Sequence, residues 1–166
     1  MKTALSNFNE AELSEILKTF GEPSYRAKQL FKWVHQATPF DKMSNLPKSL
    51  TSKLSEYYVV TGVSIFKKLV SRDGTVKYLF AVDNGNRVES VYIPDRDRAT
   101  LCVSSQAGCK MNCYFCATGK LGFRCQLTSA QIMNQILSIP PEGSNLEPLT
   151  NIVFMGMGEP LDNLKE

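Results

Sequence analysis

Residues 108–119 read GCKMNCYFCATG and place Cys109, Cys113 and Cys116 within eight residues, spaced C-x3-C-x2-C. Thiolates at this density bind soft metals, and the competing occupants are zinc and an iron–sulfur cluster. A structural zinc ion needs four ligands closed around it, usually as two pairs brought from separate places. This chain has no second C-x2-C pair, and its only histidine, His35, stands far from the loop. Cys102 or Cys125 could add a fourth thiol, but neither gives a zinc-finger spacing. A [4Fe–4S] cluster held by three cysteines departs from the four-cysteine ferredoxin patterns. It leaves one iron without a protein ligand, as catalysis at the cluster requires. Cysteines that merely pack as small hydrophobes are the remaining reading.

The elements that must position this loop follow from the pattern around it. TLCVSS before it is a short, buried strand candidate, and TSAQIMNQILSI after it predicts a helix capped by Thr128 and stopped by Pro140-Pro141. TNIVFMGMGEP predicts a second buried strand running into a glycine turn. Strand, loop, helix and strand make a βαβ unit, so the two strands should be parallel. Ligands bind beyond the carboxyl ends of such strands, and the cysteine loop and GMGEP both fall there, facing one site.

Upstream the period differs. Asn9 can cap a helix whose apolar stripe is Leu13, Ile16, Leu17 and Phe20, with Gly21 ending it. Ala27, Leu30, Phe31 and Val34 repeat that spacing after Pro23, and Leu50 and Leu54 mark a third, shorter helix. The segment from Val63 to Pro94 alternates instead, notably at Val76, Tyr78, Phe80 and Val82. Its turn signals are Asp73-Gly74 and Asn84-Gly85, so three antiparallel strands are expected. The charged run DRDRA then reads as a link. The expected organisation is α+β: a helical module with a small antiparallel sheet over residues 1–98, followed over 99–166 by a first βαβ unit.

Composition limits what such a chain can be. With 43% hydrophobic and 21% charged residues it has the balance of a soluble globular protein rather than a disordered one. No apolar run reaches the roughly 18 residues needed to span a bilayer, and the first residues are not those of a signal peptide. A cytoplasmic location is the default expectation. Five cysteines in a reducing compartment point to metal or redox chemistry rather than disulfides. The net charge of +3 is mild, but Arg26, Lys28, Lys32, Lys42, Lys48 and Lys53 cluster against Asp41 alone, while the chain turns acidic from Glu142 onward. A basic patch of this kind can meet phosphates, or be a solvated helix face.

The C-x3-C-x2-C loop, with Tyr114-Phe115 before its last cysteine, resembles the signature of radical S-adenosylmethionine (SAM) enzymes. The stretch from VESVYIP through GKLGF, together with VFMGMGEPLDN, resembles more specifically the radical SAM adenosine-C2 RNA methyltransferases, the RlmN-like family. EPSYRAKQLFKWVHQ and FDKMSNLPKSL resemble that family's N-terminal helical module, so the likeness covers essentially the whole chain. It implies that Cys109, Cys113 and Cys116 hold a [4Fe–4S] cluster whose open iron is chelated by SAM. It implies that Phe115 lies near the SAM adenine and that Gly158 and Glu159 meet its amino end. It makes Glu89 a proton acceptor and Cys102 a second catalytic thiol that resolves a covalent enzyme–RNA adduct. Cys125 receives no role.

The family's chemistry answers an electrophilic carbon. C2 of adenine resists ordinary polar methyl transfer, so one SAM methylates a cysteine near the C-terminus and a second supplies a 5′-deoxyadenosyl radical that activates that methyl group. The implied substrates are an adenosine in 23S rRNA and one in tRNA, with a flavodoxin-type electron donor and no membrane partner. The basic helices would meet the RNA, and Trp33 could stack on a base, although its spacing also suits a core position.

The resemblance carries an expected departure. The family's partial (β/α) barrel has more units than two strands supply, and its methyl-carrying cysteine has no counterpart among the five present. The expectation is a fragment, with a truncated barrel, an exposed sheet edge and no methylation of RNA by itself. The sister activity at adenosine C8 of the rRNA is the nearest rival. A noncatalytic RNA-binding fragment with a vestigial loop is a second, and a small zinc protein a third.

Overall fold

A computed structural model of the chain describes residues 2–139 and 146–166. It divides into two compact units, Met1–Gly62 and Val63–Glu166.

The first unit is helical. Helix α1 (Glu10–Thr19) begins in a capping box: the Asn9 side chain accepts from the Glu12 N–H, and the Glu12 carboxylate accepts from the Asn9 N–H. Two orphan donors are thereby satisfied. It ends at Gly21 (φ +76°), where the Glu22 N–H bonds the Leu17 carbonyl and the Gly21 N–H that of Lys18. This Schellman arrangement requires a left-handed residue. Helices α2 (Tyr25–His35) and α3 (Lys48–Tyr57) follow. The expected stripes form one core: Leu13, Leu17, Ala27, Leu30, Val34, Leu50 and Leu54 are buried, with Ile16, Phe20 and Phe31 packed against them. A two-residue parallel ladder between β1 (Thr3–Ala4) and β2 (Tyr58–Val59) closes the unit. It is too short to leave a period in the sequence.

The second unit is built on a five-stranded sheet in the order β3-β4-β5-β6-β9. The expected antiparallel strands are β3 (Ser64–Val70), β4 (Val76–Ala81) and β5 (Arg87–Asp95). Their turns contain Gly74 (φ +84°) and the left-handed pair Asn84-Gly85. Val76, Tyr78, Phe80 and Val82 are buried in its core, as their alternation requires.

The boundary expected at residue 98 differs from this division. Strand β6 (Arg98–Cys102) pairs antiparallel with β5 across the turn Asp95–Arg98, so DRDR closes a hairpin instead of linking two domains. The turn hides from sequence reading because its left-handed residue is Arg96 (φ +54°), with no glycine or asparagine to announce it. Strand β6 also pairs in parallel with β9 (Asn151–Val153), with helix α5 (Ser129–Leu137) between them in the chain. The expected βαβ unit is present. Thr128 caps α5 in a second capping box, with Gln131 as the reciprocal partner. The stop assigned to Pro140-Pro141, and the acidic Glu142, lie outside the described residues. Strand β9 is not the buried strand expected: it is a three-residue sheet edge, and Ile152, Phe154 and Met155 beside it are exposed. Among the described residues, no helix is long and apolar enough to cross a membrane.

Candidate functional site

Beyond β6 the chain forms β7 (Gln106–Ala107), makes the cysteine excursion, and returns as β8 (Cys125–Gln126), antiparallel to β7. The neck of the excursion exists because residue 108 is glycine. Gly108 has φ +76°, and a Cβ there would lie 1.8 Å from the Gly122 carbonyl oxygen. Helix α4 (Ala117–Lys120) starts directly after Cys116, and Gly119 lets it press on the backbone of Asn112 and Cys113. Asn112 takes the left-handed conformation that curls the loop (φ +47°), and the Cys116 N–H bonds the Cys113 carbonyl at 3.0 Å.

Cys109, Cys113 and Cys116 are free thiols; Cys113 is exposed, and the other two are half-buried. The thiol of Cys116 is lowered in pKa, first by a hydrogen bond from the Gly119 backbone, so its thiolate is favoured. Tyr114 and Phe115 are 94% and 89% exposed, so both rings are available to a bound partner. Among the described residues, no group of three or more His, Cys, Asp or Glu is already arranged to hold a metal ion. In donor chemistry and accessibility the three thiols fit a thiophilic cluster: they are unpaired, lie on one curled loop, and include a favoured thiolate.

The GMGEP turn is clamped against the same strand ends. A Cβ at Gly156 would lie 2.6 Å from the Val103 carbonyl oxygen, and one at Gly158 (φ +98°) would lie 2.5 Å from the Gln106 Cβ. The Met157 carbonyl accepts from the Ser105 and Gln106 N–H groups, and the Met157 N–H donates to Ser104 Oγ. The Glu159 N–H donates to Gln106 Oε1 at 2.9 Å. One Glu159 carboxylate oxygen accepts from the Leu161 N–H at 3.0 Å.

The loop and the turn meet through Asp162. Its carboxylate accepts from Gln106 Nε2 at 2.8 Å and pairs with Lys110 at 3.0 Å, and the Gln126 amide bonds its backbone carbonyl. The Lys110 hydrogen bond, then that of Gln106, holds the Asp162 carboxyl below the usual carboxylate range. The two motifs expected to face one site are thus tied together at the carboxyl ends of β6 and β9.

Glu89 and Cys102 share one face of the sheet. Cys102 is the cross-strand partner of Val91, and Glu89 lies two residues from Val91 on the face opposite buried Val88, Ser90 and Tyr92. Glu89 pairs with Lys77 at 2.8 Å, both side chains being nearly half exposed. Burial pushes the Cys102 thiol up in pKa, so it is protonated at neutral pH. Cys125, given no role, accepts a 3.5 Å contact from the Asn86 amide. Trp33 packs against the helical core with its indole N–H on Asn45, as its spacing allowed.

Sequence reading missed the residues that hold the strand ends. Gln135 of α5 accepts from the Ser104 N–H and donates to the Ser104 carbonyl, both at 2.9 Å, as a neighbouring strand would. Asn163 donates to the Ser105 and Leu127 carbonyls. The available signal was a polar stripe: Gln131, Asn134 and Gln135 lie at helical spacing on one face of α5 and are buried, whereas Met133 is exposed. Ala130 is buried and Ile132 and Ile136 pack against the core beside those amides, so a rule that sends only apolar residues inward misses the polar part of that face.

Residues 3–60 match the family described as ribosomal RNA large subunit methyltransferase N-terminal domain. The chain is 50% identical to a probable dual-specificity RNA methyltransferase RlmN of Phocaeicola vulgatus, covering 99% of this chain and 47% of that protein. It is 44% identical to the dual-specificity RNA methyltransferase RlmN of Alcanivorax borkumensis, over 98% of this chain and 44% of that one. In fold it matches a radical SAM methyltransferase from Sphaerobacter thermophilus with a TM-score of 0.88 and 38% identity, covering 98% of this chain and 49% of the other. The chain spans about half the length of the curated relatives it matches. Across its whole length, in sequence and in fold, it belongs to the RlmN-like family of radical SAM methyltransferases.

Proposed function

We propose that this chain is the cluster-bearing part of a radical SAM RNA methyltransferase acting at C2 of an adenosine in 23S rRNA and in tRNA. The observation that carries the reading is the tether of the three-thiol loop to the GMGEP turn through Lys110, Asp162 and Gln106 at the ends of two parallel strands. In this reading β6, α5 and β9 are the first βαβ unit of a partial (β/α) barrel. Cys109, Cys113 and Cys116 hold a [4Fe–4S] cluster, and Phe115, Gly158 and Glu159 hold SAM. Once bound, these groups supply the one-electron cleavage that makes a 5′-deoxyadenosyl radical.

The chain's own residues then have separate tasks. The Glu159 carboxylate binds the SAM ammonium, while Gly158 allows the close approach that places it. The Phe115 ring offers a stacking face for adenine. Glu89, paired with Lys77, accepts the proton that adenine C2 must lose. Cys102 is held as a protonated thiol until a thiolate partner is required. Exposed Lys28, Lys32, Lys48 and Lys53 offer contacts to RNA phosphates, whereas Arg26 is paired with Glu22 at 2.6 Å. C2 rather than C8 of adenine follows from the resemblance of VESVYIP, which contains Glu89.

Anaerobic reconstitution with iron and sulfide tests the reading. The expected outcome is close to four irons per chain, a visible iron–sulfur absorbance that SAM perturbs, and loss of both in Cys113→Ala. Tight zinc with no colour would refute it in favour of a zinc protein. RNA binding that survives Cys113→Ala, with no SAM response in the parent, would refute it in favour of a noncatalytic RNA-binding part.

A further inference from the structure

The second unit contains a cavity of about 470 Å³ between the β4–β5 turn and the neck of the cysteine loop. We propose that it receives a backbone phosphate of the RNA strand beside the target nucleotide, with Arg87 and Arg124 as its cations. The proposal deepens the functional reading above and rests on it.

The lining chemistry points to an anion. Arg87, Arg124, Asn84 and Asn86 line the cavity, and among the described residues no Asp or Glu lines it. Among the described residues, neither arginine is ion-paired with a carboxylate. Both arginines are exposed, and two like charges at one cavity wall repel less when an anion joins them. Arg87 is also held in place: its guanidinium lies 3.7 Å from the centroid of the Phe66 ring. Stacking fixes the plane of the fork while leaving its N–H edge free for bidentate contact with phosphate oxygens. Arg124 is fixed at its backbone, where its N–H bonds the Ala107 carbonyl at 2.8 Å. Gly85, Gly108 and Gly122 form much of the remaining wall, so no side chain fills the space.

The location decides which phosphate. Arg87 and Glu89 alternate on the same face of β5, about 7 Å apart by strand geometry. The cavity also borders Gly108 at the root of the cysteine loop and Met157 of the GMGEP turn. A phosphate held by Arg87 and Arg124 therefore flanks a nucleotide whose base reaches toward Glu89. A base modified on its ring must leave its stack, which exposes the neighbouring backbone to such a grip.

Fluorescence anisotropy with a short labelled single-stranded RNA, in a salt series on the full chain, tests the site. Arg87→Ala and Arg124→Ala should each weaken binding about tenfold. Each should also lower the slope of log affinity against log salt by about 0.7. Arg72→Ala removes an exposed charge from the β3–β4 turn and should change neither. The amide signals of Gly108 and Gly122 should move when RNA is added to the parent and remain still in the double arginine variant. The site is refuted if the parent binds no RNA, if both arginine variants bind as it does, or if Arg72→Ala costs as much. A chain that assembles its cluster yet binds RNA independently of both arginines would refute the phosphate site alone. Failure to assemble the cluster would strike the functional reading instead.

Discussion

The two units differ in what they bury. In Met1–Gly62 the core is apolar, and Thr51 is its one buried polar residue among those described. In Val63–Glu166 the buried set includes Ser90, Ser104, Ser105, Gln106, Gln131, Asn134, Gln135 and Asn163. Those polar groups are not scattered. They converge on Ser104, Ser105 and Gln106, where β6 ends and the candidate site begins. Ser90 and Gln135 share a 2.7 Å bond beneath that point, and Ser104 Oγ donates to the Glu89 carbonyl. An apolar core holds a shape through volume, whereas a hydrogen-bonded core holds particular atoms at particular places. The helical unit needs only the first. The unit carrying the cysteine loop and the GMGEP turn needs the second.

The largest expected effects test that contrast directly. Leu17→Ala should cost about 3 kcal/mol through the cavity it leaves in the helical core. Gln135→Leu should cost about 2 to 4 kcal/mol, because it leaves the buried Ser104 N–H and carbonyl without partners while keeping the volume apolar. Trp33, the chain's one tryptophan, sits in the helical unit. In urea titrations Leu17→Ala should therefore shift the Trp33 fluorescence transition, and Gln135→Leu the backbone signal of the sheet. The contrast breaks if Gln135→Leu proves neutral, since the polar core would then be dispensable.

A smaller effect sharpens it. The two units start α1 and α5 with the same device, so Asn9→Ala and Thr128→Ala should each cost about 1 kcal/mol. Thr128→Ala should additionally loosen Gln131 and raise amide exchange in the first turn of α5. Equal stability losses with no change in exchange at α5 would show the caps to be interchangeable and local.

The smallest effect is one of pH. The folded-state carboxyl of Asp162 titrates below its ordinary value, so its stabilising contribution is complete above about pH 4 and is lost as pH falls through the depressed value. The Lys110–Asp162 tether should hold at neutral pH and release the cysteine loop only in the acid range below about pH 4. Limited proteolysis at Lys110 across that range should show the step, and Asp162→Asn should cleave equally at every pH. Release above pH 5 in the parent would overturn the assignment.

How much was legible in the sequence follows the same division. The stripes of α1 and α2, the alternation of β4 and the two glycine turns were legible because each is set by neighbours within a few residues. The hairpin at Asp95–Arg98 was not, because a left-handed Arg96 is stabilised by strand pairing on either side. Nor was the inward-facing polar stripe of α5, whose partners lie thirty residues away in the chain.

The candidate site divides likewise. The sequence by itself determined the donor type, because three thiols within eight residues are soft sulfur donors wherever the loop lies. It also marked GMGEP as a glycine turn ending a strand. Only the tertiary structure decided that Gly156 and Gly158 rest on Val103 and Gln106, that Asp162 joins the turn to Lys110, and that Glu89 and Cys102 share a face. The physical reason is range: donor type and helix or strand period are properties of neighbouring residues, whereas a close approach or a shared face exists only once distant strands are paired.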